Sequence, residues 1–296
     1  MLKQFIIQQV RSVVGGGKPP TEYLYPPGDP GLFGPDSVVW RVHGDFMSMM
    51  IGGISSLILQ ALHPSALAGV WDHSSFREDL KGRLGRTASF IAATTYGNTE
   101  MATRSIARVK KIHDSLKGTL PDGSEYWVSD PHLLYWVHLT EASSFLNAHQ
   151  IYLNPHISEA DQDQYFLEMS RISKDLGCSI LDQYGHDQFA KTKASVQRAI
   201  ESYFPELNYS DRSKWVIDLL EHFPAEPNTY VLNRLIIKAG FYNLPSWAYP
   251  LIGRPAPSAL ERHLLNQSIQ LIAKPVRWAL SNGVATHARR RMGIYN

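Results

Sequence analysis

Between Pro131 and Tyr152, six residues, Leu134, His138, Glu141, Phe145, Ala148 and Tyr152, recur at steps of four, three, four, three and four. That is the period of an α-helix, and it puts all six on one face. A face so largely apolar has to be covered by other elements, so this chain must build a core around a long helix. Asp130 supplies the N-cap and Pro131 suits the first turn, which fixes where the helix starts.

The same period runs through most of the chain. Residues 46–62, FMSMMIGGISSLILQAL, are the most apolar window. Its 17 residues sit at the lower limit for crossing a bilayer, and Gly52, Gly53, Ser55 and Ser56 dilute it, so it reads as a buried core helix within 44–62. Pro64 permits a new helix near Ser65. Arg83 to Thr95 stays in helical register, Gly97-Asn98 breaks it, and Asn98 or Thr99 caps the next helix, with Gly118 expected at its C′ position. Asp122-Gly123 within TLPDGSEYWVSD predicts a short hairpin. Further helices are expected at 158–177, 188–204, 211–223, 228–241 and 257–280, with one more near the end. Strand signals are nearly absent. The fold class is all-α: a helical domain over 36–296, preceded by an irregular arm over 1–35 whose second half is rich in Gly and Pro.

With 29 Lys and Arg against 27 Asp and Glu, the charge is nearly balanced, and no broad basic footprint for nucleic acid is present. Arg289, Arg290 and Arg291 form the one local run, expected as a solvated helix end. Cys178 is the only cysteine, which excludes an intramolecular disulfide and a thiolate metal cluster. The N-terminal MLKQFIIQQVRSVVGGG has too short and interrupted an apolar stretch for a secretion signal, so the expectation is a cytoplasmic protein without an integral membrane span. No Gly-x-Ser-x-Gly elbow, Walker loop or Gly-x-Gly-x-x-Gly fingerprint after a strand supports hydrolase, nucleotidase or dinucleotide chemistry.

Three helices carry candidate chemistry. Ala102, Ile106, Val109, His113 and Leu116 share a face, while Arg104, Arg108, Lys110, Lys111 and Lys117 occupy the other sides. An imidazole on a buried face needs partners for its nitrogens, so His113 is either a core histidine bonded to a carbonyl or a metal ligand or general base. Arg83, Arg86 and Thr87 lie on one side of another helix. Two guanidinium groups there suit the propionates of a haem or an acidic substrate, or they are simply solvated. His138 and Glu141, three apart, fit either a metal environment or a structural pair. A second Glu-x-x-His segment of the di-iron type is missing. His63, before Pro64, and His73, in WDHSSF, read as capping or exposed residues.

Taken together, LILQALHPSALAGVWDHSSFREDLKGRLGRT, VKKIHDSLKG and DPHLLYWVHLTEASSF resemble the catalytic-domain family of bacterial rubber oxygenases, or latex-clearing proteins, which also includes the fungal oxygenase of mycophenolic acid biosynthesis. The resemblance covers about residues 40 to 250. It implies a globin-like helical core holding haem b, with His113 as the axial iron ligand. It also implies Arg83, Arg86 and Thr87 on the distal side, the latter two as hydrogen-bond donors to oxygen. His138 then becomes a cofactor-pocket residue. Rubber oxygenases can carry lysine where this chain has Arg86, and arginine does not coordinate iron. Glu78 and Asp79 do not match the position of a catalytic base clearly enough to assign one. The resemblance implies a haem-dependent oxygenase or oxidase using O2 or peroxide, with an electron donor where the reaction needs one, on a small hydrophobic metabolite of terpenoid, lipid or aromatic type. Two alternatives stay open: a non-haem iron oxygenase built on His138 and Glu141, and a non-catalytic helical protein that binds haem or another ligand.

Overall fold

The computed structural model describes residue 7, residues 21–181, residue 185, and residues 187–223, 229–280 and 283–295. These form thirteen α-helices, two short 3-10 turns and one small antiparallel hairpin. The helices are α1 (Val38–His43), α2 (Phe46–Gln60), α3 (Pro64–His73), α4 (Leu80–Tyr96), α5 (Thr99–Asp114), α6 (Pro131–Tyr152), α7 (Glu159–Asp175), α8 (Lys193–Ser202), α9 (Asp211–Glu221), α10 (Tyr230–Tyr242), α11 (Ala248–Leu251), α12 (Ala259–Ala279) and α13 (Val284–Arg291). The strands β1 (Lys117–Thr119) and β2 (Glu125–Trp127) make the hairpin, with Gly118 opposite Tyr126.

Helix starts are written in the sequence. Side chains of Ser37, Asp45, Asp79, Asn98, Asp130 and Ser158 each accept a backbone N–H of the following turn. Thr192, Ser210 and Ser258 form capping boxes with Ser195, Ser213 and Glu261. Each such cap stabilises its helix by about 1 kcal/mol.

Two expected boundaries differ. Helix α5 stops at Asp114, and Gly118 lies in β1 rather than at a C′ position. Its glycine character is used for packing: a Cβ there would meet the Tyr126 ring at 2.7–2.8 Å. Helix α8 starts at Lys193, five residues later than expected, because the Thr192–Ser195 capping box sets the start.

Helix α2 is the buried core helix, with Met47, Ile51 and Ile58 fully inside. No single described helix is long and apolar enough to cross a membrane, and α2 turns through 105° into α3. The α2–α6 packing is close because Gly52 lacks a side chain: a Cβ there would sit 2.8–2.9 Å from Phe145 and from the Ser144 carbonyl. On α10, Gly240 plays the same part against Ile54 of α2.

Helix α6 belongs to two apolar clusters. Its first two thirds, from Leu134 to Leu146, pack with residues of α1, α5, α7 and α8. Its last turns, through Ala148 and Tyr152, pack with α2, α9, α10 and α12.

At the C-terminal end one expectation is overturned. Arg289 and Arg290 are exposed, but Arg291 is only 2% exposed. Its guanidinium donates to the carbonyls of Asp29 (2.8 Å), Tyr23 (3.0 Å), Tyr96 (2.8 Å) and Gly97 (3.2 Å), and its own carbonyl accepts from Gly28 at 2.8 Å. A cation can be buried this way because carbonyl dipoles take the place of water. The clamp fastens the N-terminal arm to the α4–α5 corner.

Candidate active site

Apolar residues of the three helices read from sequence share one cluster. Ala102 and Ile106 of the His113 face, and Leu134 and Phe145 of the His138 and Glu141 face, belong to a single apolar cluster, against which Phe90 and Ile91 of the Arg83 helix also pack. A short connection at Gly97-Asn98 returns α5 along α4, so the chain comes back towards the end where Arg83 lies before it reaches His113.

Burial acts on four polar side chains of these helices, and one of their atoms, His113 Nδ1, is fully buried without a hydrogen-bond partner. Arg83 has no hydrogen bond or ion pair from its guanidinium among the described residues, and burial, followed by the charge of Arg86, lowers its pKa. His113 has a buried Nδ1 with no partner, and burial holds its pKa below the ordinary imidazole value. His138 is buried against Phe189 and Tyr135, and burial alone pulls its pKa down to about 3. Burial pushes the Glu141 carboxyl up to about 7. Glu141 is nevertheless partly exposed by surface.

Arg86 and Thr87 are exposed. Arg86 lies 3.8 Å from Asp79 and reaches the Ser75 hydroxyl at 3.5 Å, while the Thr87 hydroxyl donates to the Arg83 carbonyl at 3.3 Å. His138 and Glu141 occupy one side of α6, but among the described residues no hydrogen bond joins them. His73 is exposed, with Nε2 3.0 Å from the Lys117 carbonyl.

A buried relay beside this site had not been singled out in the sequence. Thr95 Oγ1 lies 2.8 Å from His43 Nδ1, and His43 Nε2 lies 3.0 Å from the Tyr165 hydroxyl. Burial pulls the His43 pKa down to about 3, so the ring is neutral. Tyr165 is held protonated by burial first and then by the nearby charge of Glu141. The members come from α1, α4 and α7, and no spacing rule links residues so far apart in the chain. A second polar group, His63, His132 and Glu206, is also assembled from separate segments.

The family model for the catalytic domain of "ER-bound oxygenase mpaB/B'/Rubber oxygenase" matches residues 40–290. The chain belongs to this oxygenase family. The match runs from α1 to α13 and takes in every helix that lines the site. No curated protein and no solved structure matches the chain.

Members of an oxygenase family act on O2 and a substrate, and the cluster around Glu141 offers what such chemistry uses: an apolar setting, a neutral imidazole and a carboxyl that titrates near neutrality. The residues also fit a haem. His113 carries an orphaned buried nitrogen on an apolar face, and Arg83 is a half-buried cation without a counter-ion among the described residues.

Proposed function

We propose that the chain is a haem b-dependent oxygenase or oxidase that uses O2 or a peroxide on a small hydrophobic metabolite of terpenoid, lipid or aromatic type. One observation carries the reading: apolar residues of α4, α5 and α6 share one cluster, and on those helices burial shifts Arg83, His113, His138 and Glu141 towards their uncharged forms, with His113 Nδ1 buried and unpartnered. Each buried polar group left unpaired costs about 1–3 kcal/mol. A prosthetic group with a metal centre and acidic tips relieves that cost, through an imidazole nitrogen for iron and a guanidinium for a propionate.

Haem, when bound, supplies the activation of the oxidant. The remaining tasks fall to the chain. His113 is neutral at neutral pH, because burial lowers its pKa, and neutral imidazole is the ligating form. Arg83 offers a permanent positive charge to a carboxylate. Arg86 and Thr87, three and four residues further along α4, donate hydrogen bonds to oxygen atoms. His138 stays neutral and gives the pocket a polar edge. Glu141 holds or releases one proton at its carboxyl oxygen, since its pKa lies near 7. Phe90, Ile91, Leu134 and Phe145 exclude water and favour an apolar substrate.

The test is the ultraviolet–visible spectrum of the full chain from haem-supplemented cells, beside His113→Ala with circular dichroism recorded on both. A Soret band in the parent that is lost or displaced in a folded His113→Ala is the expected result. A folded parent without a Soret band overturns the reading, and metal analysis for iron would follow. Oxygen uptake or peroxide consumption with apolar metabolites then separates turnover from simple binding.

A further inference from the structure

At the N-terminal end of α6, on a different side of that helix from His138 and Glu141, three metal-ligand side chains converge. His63 Nε2, His132 Nε2 and the Glu206 carboxylate offer ligand atoms that all lie within 4.8 Å of one another. His63 Nε2 is 3.3 Å from Glu206 Oε2, and His132 Nε2 is 2.9 Å from Oε1.

His63 is the decisive member. It is only 5% exposed, and neither ring nitrogen has a hydrogen-bond partner: Glu206 is close to Nε2 but not aligned with it as a hydrogen bond. His63 stands at the N-cap position of α3 yet makes no side-chain cap. A buried imidazole that neither caps nor makes a hydrogen bond, with Nε2 3.3 Å from a carboxylate oxygen, is poised as a ligand.

The other two are held in position. Tyr203 stacks on the His132 ring at 4.4 Å and 19°, and its hydroxyl donates to the His132 carbonyl at 2.7 Å. Glu206 ends the 3-10 turn Phe204–Glu206, and Leu207 N–H closes that turn on the Phe204 carbonyl. Ligand atoms around a tetrahedral ion with bonds of about 2.0 Å stand roughly 3.3 Å apart, close to the two separations seen here. His132 and Glu206 are both partly open to solvent, which leaves the outer side for water.

We propose that His63, His132 and Glu206 form a site for a divalent transition ion of the zinc class, bound by two imidazole Nε2 atoms and one carboxylate oxygen, with the remaining position facing water. Binding replaces the contact of His132 with Glu206, and a proton held on a ligating Nε2 passes to Nδ1 of the same ring or to solvent. The ion ties the start of α3, the first turn of α6 and the segment after α8 together. The site does not depend on haem.

The test titrates the chelator-treated full chain with cobalt(II) and with zinc(II). The expected result is one equivalent bound, ligand-field bands from cobalt, and a thermal midpoint that rises with zinc. His132→Ala and Glu206→Gln alter exposed side chains, so folding is retained, and each should weaken binding by at least about tenfold and abolish the zinc-induced rise. His113→Ala should keep the cobalt bands unchanged. The proposal fails if the folded parent binds neither ion, if either of the first two variants binds as the parent does, or if His113→Ala removes the cobalt bands.

Discussion

Asp45 and Arg277, 232 positions apart, are joined by two hydrogen bonds: Arg277 Nε donates to Asp45 Oδ1 at 2.7 Å and Nη2 donates to Oδ2 at 3.0 Å. Oδ2 also accepts from the Ser48 amide at 3.0 Å and the Ser48 hydroxyl at 2.6 Å. One carboxylate therefore caps α2 and anchors α12. Burial alone would raise its pKa, but the hydrogen bonds from Arg277 and Ser48 outweigh burial and hold it below the ordinary value.

Arg277→Met leaves a carboxylate that is 5% exposed without its counter-ion. Loss of about 3 kcal/mol of stability is expected, read from the urea midpoint at neutral pH. Because the folded pKa is depressed, the contribution of Asp45 is complete above its unfolded pKa of about 3.9 and is lost as pH falls through the folded value. The gap between parent and variant should narrow in acid. A constant gap would remove the ion pair from the explanation.

Glu141 behaves in the opposite sense. Its folded pKa of about 7 lies above the unfolded value of about 4.3, so the folded chain keeps a proton that the unfolded chain has released. In cofactor-free protein, the stability owed to this group is complete below the unfolded pKa and is lost as pH rises through 7, a fall of about 4 kcal/mol in all. Glu141→Gln should flatten that slope in denaturant titrations between about pH 5 and about pH 8. Equal slopes in parent and variant would assign the pH dependence to other groups.

Gly52→Ala tests the α2–α6 contact. The added methyl would lie 2.8 Å from the Phe145 ring and 2.9 Å from its Cα, so one helix must shift. A loss of about 1–3 kcal/mol is expected. Gly53→Ala, which meets the Phe145 ring only at 3.9 Å, should be nearly neutral and serves as the control.

Arg291→Ala strips four carbonyls of their donor, and a loss of about 3 kcal/mol in thermal or chemical unfolding is expected. Arg291→Lys should recover only part of this, since an ammonium cannot span four acceptors as a planar guanidinium does. Arg290→Ala, at an exposed position of the same turn, should change little.

Much of the architecture was legible in the sequence because helix period and caps are local signals. Asn98 and Asp130 do cap α5 and α6, and the Asp122-Gly123 turn does close the hairpin. The polar residues on apolar faces, His113, His138 and Glu141, were visible for the same reason. What could not be read depends on long-range encounters. Arg291 looked like a solvated cation because its acceptors are backbone carbonyls, which carry no sequence signature. The His43–Tyr165 contact and the His63–His132–Glu206 group likewise join segments with no shared spacing. Gly118 looked like a helix stop because a ring approaching from the facing strand cannot be inferred from the residue itself.

The Arg291 clamp also says where this chain is free to drift. Among the described residues its guanidinium hydrogen-bonds only to main-chain oxygens, so the Tyr23 side chain can change without altering what the arginine grips, while the Asp29 carboxylate adds a negative charge beside it. The exception is at the crossing, where a Cβ on Gly31 would lie 2.2 Å from the Gly97 carbonyl oxygen. Among homologues, the arm should therefore vary in letters while its route is inherited, with the arginine and that glycine as the two fixed points along it.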